Sequence, residues 1–226
     1  MTPEARDPYT LSADEAAAAL AGAPWPRLAV LGDSFAAGIC DPTPGYRDVT
    51  WADRLTEALR RVLPQLEYLN TGERGARTAD VFDRQLRPVL CFRPDLVVLI
   101  CGGNDMLTPD YSPHELRGRL DKLLGPLCAI GADVVMYTMM DITTAYPELG
   151  DTLRDAIDGL NKVIRQVAAD HGAILVELWG HPCQSDKDMY SKDLIHGTWR
   201  GQAIMAAMTV QRLAEYLREP GRSRRP

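Results

Sequence analysis

Five short apolar runs alternate along this chain with longer amphipathic segments, and this alternation constrains the fold more than any other feature. The run 96–100 is typical, because all five of its residues are apolar and such a strand is covered on both faces of a sheet. In the segment 113–130, leucines recur at the spacing of one helical stripe. Strands that alternate with helices pair in parallel through right-handed crossovers, so the sequence predicts a three-layer α/β sandwich.

The predicted elements alternate strictly between strand and helix. The strands are 27–31, 66–69, 95–101, 133–139 and 173–178, and the helices are 51–63, 78–90, 113–130, 153–171 and 201–218. We therefore expect a flavodoxin-like architecture, with about five parallel strands and helices on both faces of the sheet.

The length of 226 residues fits one domain with a single core. We expect an N-terminal extension over 1–24, a catalytic or binding domain over 25–219, and a disordered basic tail over 220–226. Ser12 and Glu15 have the spacing of a capping box, which predicts a short helix within the extension.

Charge and cysteine content exclude several classes of function. The net charge of -6 argues against nucleic acid as a partner, and no apolar stretch is long enough to predict a membrane span. The five cysteines are scattered and show no ligand spacing, which predicts reduced thiols, a cytoplasmic location and no metal site. A nucleotide cofactor is not expected, because neither a dinucleotide-binding fingerprint nor a P-loop is present.

In an open parallel sheet, ligands bind beyond the carboxyl ends of the strands. Ser34 follows the first predicted strand, Gly75 lies in the loop after the second, and Asn104 follows the third. Asp193 and His196 precede the last helix. Five chemically useful residues are thus expected at one edge of the sheet.

Ser34, Asp193 and His196 have the residue types of a nucleophile, an orienting carboxylate and a base. A serine at a tight turn beside a helix N-terminus is exposed to a substrate, and a base must take its proton. Asp193 can hold one ring nitrogen of His196 while the other nitrogen faces the serine. Singly, each motif has a simpler interpretation, as a helix cap for Ser34 and a surface histidine for His196.

Gly75 and Asn104 are candidate donors to an oxyanion, together with the amide of Ser34. A glycine amide can approach a substrate closely, and an asparagine N–H can reach it from a neighbouring loop. Ordinary turn chemistry explains either residue when it is considered alone.

Together these motifs resemble the sequence blocks of the SGNH hydrolases, also called GDSL esterases and lipases. The resemblance runs from the first strand to the final helix. It implies that Ser34 is the nucleophile, that Asp193 and His196 complete the triad, and that Gly75 and Asn104 complete the oxyanion hole. It also implies an esterase that acts on a small acyl ester without a cofactor.

Three residues are candidates for substrate binding. Glu73 and Arg74 stand where family members commonly carry small or apolar residues. A solvated ion pair with Glu73 is the expected interaction, and recognition of a substrate carboxylate or phosphate by Arg74 and Arg77 is the alternative. Met140, near a strand end, could line an acyl pocket, and Trp199 could wall the site or anchor the last helix.

Two other functions share the same motifs or fold. An acyltransferase would use the same acyl-enzyme with an acceptor other than water. A non-catalytic ligand-binding module would have no need for Ser34, Asp193 and His196 together. Because the connections are mostly too short to build a lid, we expect an open site and a preference for short acyl groups.

Overall fold

The protein is described by a computed structural model over residues 2–219, so the predicted tail at 220–226 lies outside the described residues. Its strands are β1 (Arg27–Gly32), β2 (Cys40–Asp41), β3 (Glu67–Asn70), β4 (Leu96–Ile100), β5 (Asp133–Tyr137), β6 (Ile174–Val176) and β7 (Gly197–Thr198). Five of them form a parallel sheet in the order β3-β1-β4-β5-β6. This is the flavodoxin-like strand order, and the predicted fold class is confirmed.

The helices cover both faces of this sheet. They are α1 (Ala13–Ala19), α2 (Trp51–Val62), α3 (Thr78–Asp80), α4 (Leu86–Phe92), α5 (Gly103–Met106), α6 (Pro113–Ala129), α7 (Gly150–His171) and α8 (Trp199–Arg218). Side chains of α1, α2 and α8 build the core on one face, and those of α4, α6 and α7 build it on the other. The alternation within β1 follows from this, because Leu28 and Val30 enter the first core while Ala29 and Leu31 enter the second.

Local signals explain where several helices begin and end. Ser12 and Glu15 form the predicted capping box of α1, and Thr50 caps α2 by accepting from the amide of Asp53. Gly172 ends α7 with a φ of 64°, a conformation that glycine adopts without strain. Most predicted boundaries are accurate to within about two or three residues.

The predicted helix 78–90 is not a regular α-helix. A π-helical turn, Val81–Gln85, joins α3 to α4. Such turns often occur at functional sites, and this one places the buried side chain of Gln85 against the end of β1.

A second, two-stranded sheet was not predicted. In it β2 pairs in parallel with β7, which joins the segment after Ser34 to the segment after His196. Within residues 2–219, no helix is both long enough and apolar enough to cross a membrane.

Candidate active site

Ser34 begins a tight turn directly after β1 and Asp33. Residues 34–38 form this turn, with the amide of Ala37 bonded to the Asp33 carbonyl at 3.0 Å and that of Ile39 bonded to the Ser34 carbonyl at 3.0 Å. The expectation that Ser34 lies at a helix N-terminus is wrong. Gly38, with a φ of 74°, ends the turn before a helix can form, and the chain continues into β2.

The backbone before Ser34 is held from several sides. Gln85 Oε1 accepts from the Gly32 amide at 2.7 Å, and Gln85 Nε2 donates to the Gly32 carbonyl at 2.9 Å. Gly32 has a φ of 140°, and a Cβ there would collide with the carbonyl of Ile100. The Asp33 amide donates to that same carbonyl at 2.9 Å. Ser34 therefore extends from a rigid strand end.

Asp33 is a buried carboxyl group beside the candidate nucleophile. Burial raises its pKa to about 7, and the nearby carboxylate of Asp105 adds to the rise. Its Oδ1 accepts from the amide of Phe35 at 2.9 Å, which favours the charged form and opposes the rise. Asp33 therefore titrates in the neutral range rather than as an ordinary surface carboxylate.

Asp193 and His196 share one tight turn, as their spacing predicted. Asp193 Oδ2 lies 2.7 Å from His196 Nδ1, and its Oδ1 accepts from the amides of Ile195 and His196 at 3.0 Å each. Leu194 between them has a φ of 56°, which lets the carboxylate face its own turn. Although partial burial acts to raise it, the pKa of Asp193 is lowered to about 2 by the bonds from His196 and Ile195.

The imidazole of His196 is buried and only one of its nitrogens is used. Nδ1 faces Asp193, and Nε2 is buried and has no hydrogen-bond partner among residues 2–219. The ring of Phe35, the residue after Ser34, lies 5.9 Å from the imidazole centroid to centroid. The structure thus brings His196 beside the Ser34 turn, with Nε2 free to accept a proton.

Ser191 fastens the His196 loop to β2. Its amide donates to the His196 carbonyl at 2.8 Å, its hydroxyl donates to the Gly197 carbonyl, and the same hydroxyl accepts from the Asp41 amide at 3.2 Å. Asp41 in turn accepts from the amide of Lys192 at 3.0 Å. These bonds, with the pairing of β2 and β7, tie the two halves of the candidate site together.

Gly75 lies in a loop that contacts the short helix α5, which carries Asn104. Asn104 Nδ2 donates to the carbonyl of Ala76 at 3.0 Å, next to Gly75. Gly75 is exposed with a φ of 76°, and a Cβ there would meet nothing within 4 Å. The buried Asp105 reinforces the contact by accepting from the amide of Thr78 at 2.9 Å. These bonds hold the segment of Gly75 against that of Asn104.

The three candidate substrate-binding residues differ in their surroundings. Arg74 is exposed, and the expected ion pair with Glu73 is not formed, because Glu73 binds Arg84 at 3.1 Å instead. Met140 is half-buried and packs against two apolar clusters. Trp199 is half-buried at the first position of α8, three residues after His196.

Arg200, one turn after His196, was missed by the sequence analysis. Its Nε binds Asp7 of the N-terminal extension at 2.6 Å, and its Nη1 binds Asp186 at 2.9 Å and Asp188 at 2.7 Å. Gln85 and Ser191 were also missed. All three are buried polar residues with distant partners. For Gln85, the only signal in the sequence was a polar residue within an apolar helical stripe.

Metal ligation has no support in the described part of the chain. Between residues 2 and 219, no three His, Cys, Asp or Glu side chains are grouped so that they could hold a metal ion. The chemistry available to the arrangement is that of a serine, an oriented imidazole and nearby N–H donors.

A family comparison agrees with this arrangement. Residues 30–204 match the model of the GDSL-like Lipase/Acylhydrolase family, which is most of the chain. The chain belongs to this family. It is therefore an ester hydrolase of the SGNH type, and the resemblance predicted from its sequence blocks is confirmed. No curated protein sequence matches it.

Solved structures of similar proteins share its fold. The chain is similar to LAE5, an alpha/beta hydrolase enzyme from the metagenome of Lake Arreo, Spain, with 23% identity, a TM-score of 0.66, and coverage of 84% of this chain and 97% of that chain. It is also similar to Axe2, an acetylxylan esterase from Geobacillus stearothermophilus, with 20% identity, a TM-score of 0.66, and coverage of 83% of this chain and 93% of that chain. For TesA the identity is 24% and the TM-score is 0.65, and the alignment covers 83% of this chain and 97% of that chain. At these identities the likeness shows the fold.

Proposed function

We propose that this acyl hydrolase cleaves a short acyl ester through an acyl-enzyme on Ser34. The observation that carries the proposal is the state of His196, which has Nδ1 held by Asp193 at 2.7 Å and a buried Nε2 without a partner. An imidazole held in this way carries its proton on Nδ1 and can accept another on Nε2. The proposal is supported by the ring of Phe35, the residue after Ser34, which lies 5.9 Å from the imidazole of His196 between ring centroids.

The reaction proceeds in two steps. Ser34 Oγ attacks the ester carbonyl while His196 Nε2 takes the hydroxyl proton, and that proton then leaves with the departing alcohol. In the second step, His196 Nε2 takes a proton from water, the resulting hydroxide attacks the acyl-serine, and the proton returns from Nε2 to Ser34 Oγ as the bond between the acyl group and that oxygen breaks and the acid is released. The oxyanion of each intermediate accepts from the amides of Ser34 and Gly75 and from Asn104 Nδ2.

Covalent labelling tests the nucleophile. A fluorophosphonate probe should add one adduct to the intact protein, and Ser34→Ala should abolish it, because Ser34 is the proposed nucleophile that His196 activates. Ser185→Ala is the matched control, because its exposed hydroxyl bonds only the Pro182 carbonyl. A full adduct on the Ser34→Ala protein, detected by mass spectrometry, would place the nucleophile elsewhere.

Asn104→Ala should lower kcat by about 10²–10³ and leave KM nearly unchanged, because an oxyanion donor acts mainly in the transition state. Asn104→Asp, which keeps the shape but loses the N–H donor, should lose as much. Steady-state kinetics on a neutral acetate ester measure both constants. A raised KM with an unchanged kcat would make Asn104 a ground-state binder.

Esters with short acyl chains should be hydrolysed with a higher kcat/KM than esters with long chains. The methionines that follow β5 are used in packing, because Met139 Sδ would lie 3.5 Å from a Cβ at Gly103 and Met140 packs against two apolar clusters. Little depth remains for an alkyl chain, and a partly buried methylene gains less than about 0.8 kcal/mol. A p-nitrophenyl ester series below micellar concentrations should give the highest kcat/KM from acetyl to butyryl. A steady rise to decanoyl would contradict the open site.

Trp199 and Met140 are proposed to border the acyl or alcohol group. Support comes from Trp199's half-buried position at the start of α8, three residues beyond His196. A cytoplasmic location is proposed from the cysteines, since all five are free thiols.

A further inference from the structure

We infer that the ester this site prefers is an anion, with a carboxylate or phosphate group close to the scissile bond, and that Arg74 and Arg77 recognise it. This inference rests on the proposed function. It names the substrate class of the same site.

The loop that carries both arginines is fixed against the Ser34 turn. The amide of Glu73 donates to the Gly32 carbonyl at 3.1 Å, and Asn70 Nδ2 donates to the Ala36 carbonyl at 2.9 Å. Gly72 packs so closely that a Cβ there would lie 2.5 Å from the amide nitrogen of Ala37. The backbone on the N-terminal side of Arg74 thus lies directly on the turn of the nucleophile.

The other end of the loop is fixed to the third motif. Asn104 donates to the carbonyl of Ala76, the residue before Arg77, at 3.0 Å. Thr78, the residue after Arg77, bonds the buried Asp105 through both its amide and its hydroxyl, at 2.9 and 2.6 Å. Arg74 and Arg77 therefore flank Gly75 on a backbone that is held at both ends within the candidate site.

The neighbouring carboxylates form their ion pairs with other arginines. Arg84 binds Glu73 at 3.1 Å and Asp80 at 3.0 Å, and Arg119 binds Asp105 at 3.2 Å. In the part of the chain that the structure describes, neither Arg74 nor Arg77 forms an ion pair, and both are exposed. A protein of net charge -6 thus carries, within its described residues, two exposed arginines outside any ion pair that flank its candidate oxyanion glycine.

Arginine is suited to a carboxylate or phosphate because its planar guanidinium can donate two parallel hydrogen bonds to either group. The space above Gly75 is open, since a Cβ there would meet nothing within 4 Å. A neutral ester would leave both guanidinium groups without a partner, whereas an anionic ester would be drawn to them and oriented by them.

The test compares esters that share an acetyl group and differ in charge. They are the neutral methyl 3-acetoxybenzoate, the anionic 3-acetoxybenzoate and the anionic 3-acetoxyphenyl phosphate. For the wild type and each variant, kcat/KM for an anion is divided by kcat/KM for the neutral ester, so that each ester's intrinsic reactivity cancels between proteins. The two anions distinguish a carboxylate from a phosphate.

Arg74→Gln and Arg77→Gln should each lower this ratio by about three- to tenfold for at least one anion, and the double variant should lower it further. Arg87→Gln is the matched control, because it removes an exposed arginine without an ion pair from α4 and changes the net charge equally. Added salt should reduce the wild-type ratio and leave that of the double variant nearly constant.

A ratio that changes less than about twofold in the double variant would overturn the inference, as would an equal fall in Arg87→Gln, which would indicate only the overall field of the protein. Failure of the proposed function would give a distinct result, because the wild-type protein would then hydrolyse neither the neutral ester nor the anions.

Discussion

His196→Ala is expected to lower kcat on a simple acetate ester by about four to six orders of magnitude, with KM changed far less. The reason is that the variant removes the group that we propose as the acceptor of the Ser34 proton, and the Nε2 of that group has no hydrogen-bond partner among the described residues. Stopped assays at high enzyme concentration, with intact-protein mass spectrometry to exclude contamination, measure the residual rate.

The same experiment includes two checks on the triad. The double variant Ser34→Ala, His196→Ala should be no slower than either single variant, because the two groups act as one unit. His114→Ala removes an exposed histidine at the start of α6 and should leave kcat unchanged. Turnover close to wild type in His196→Ala would exclude the triad.

Asp193 should support catalysis as a charged carboxylate at any pH near neutrality. Its pKa is lowered to about 2, so the carboxylate stays ionised while an imidazole gains or loses its proton. Asp193→Asn keeps an oxygen for the amides of Ile195 and His196 but loses the charge that orients the ring. Its kcat is therefore expected to fall by orders of magnitude while the turn itself is retained.

Arg200→Met is expected to lower the free energy of unfolding by about 3–5 kcal/mol, because it leaves the buried carboxylate of Asp7 without its cation. The Asp7 side chain is only 4% exposed and lies 2.6 Å from Arg200 Nε. Tyr46 donates to the same carboxylate at 2.6 Å, but a phenol does not compensate its charge. Urea denaturation followed by circular dichroism measures the loss.

The loss should depend on pH in a defined direction. In the wild type, burial acts to raise the pKa of Asp7, but the bonds from Arg200 and Tyr46 outweigh it and hold the pKa below 3.8. Asp7 thus stabilises the fold above pH 3.8, and this stability is lost as the pH falls through the lower, folded value. Without Arg200, burial dominates and raises the pKa, so the carboxylate destabilises the variant as the pH rises. The difference between the two proteins should therefore be largest near neutrality and shrink toward about pH 4.

Two further variants assign this effect to the buried pair. Asp7→Asn, added to Arg200→Met, removes the buried charge and should recover part of the lost free energy, as a double-mutant cycle would show. Arg61→Met is the matched control, because Arg61 pairs with Asp14 at the surface and its loss should cost about 1 kcal/mol or less. A loss in Arg200→Met equal to that in Arg61→Met would mean that the cluster contributes little.

The fold was predictable because its signal is local and repeated. Each buried strand is an apolar run of a few residues, and each helix shows its own stripe. The positions of Ser34, Gly75, Asn104, Asp193 and His196 were also predictable, because the carboxyl ends of parallel strands meet at one edge.

The features that were not predicted depend on contacts between distant segments. Two-residue strands such as β2 and β7 have no pattern that a sequence can show. Gln85 contacts Gly32 through a π-helical turn, which neither residue indicates by itself. The ion pair of Glu73 was mispredicted for a similar reason, because its true partner, Arg84, lies eleven residues away in the π-helical turn.

The pairing of β2 with β7 has a consequence for the order in which the enzyme becomes active. Ser34 is synthesised early and His196 late, and the strands that bring their segments together need the last part of the chain before they can pair. Contacts of such high sequence separation form slowly, since the loop between them must close first. A nascent chain that has already folded its central sheet therefore contains Ser34 without its proposed base, His196. Esterase activity should return only with the final phase of refolding, after most of the helical signal has recovered.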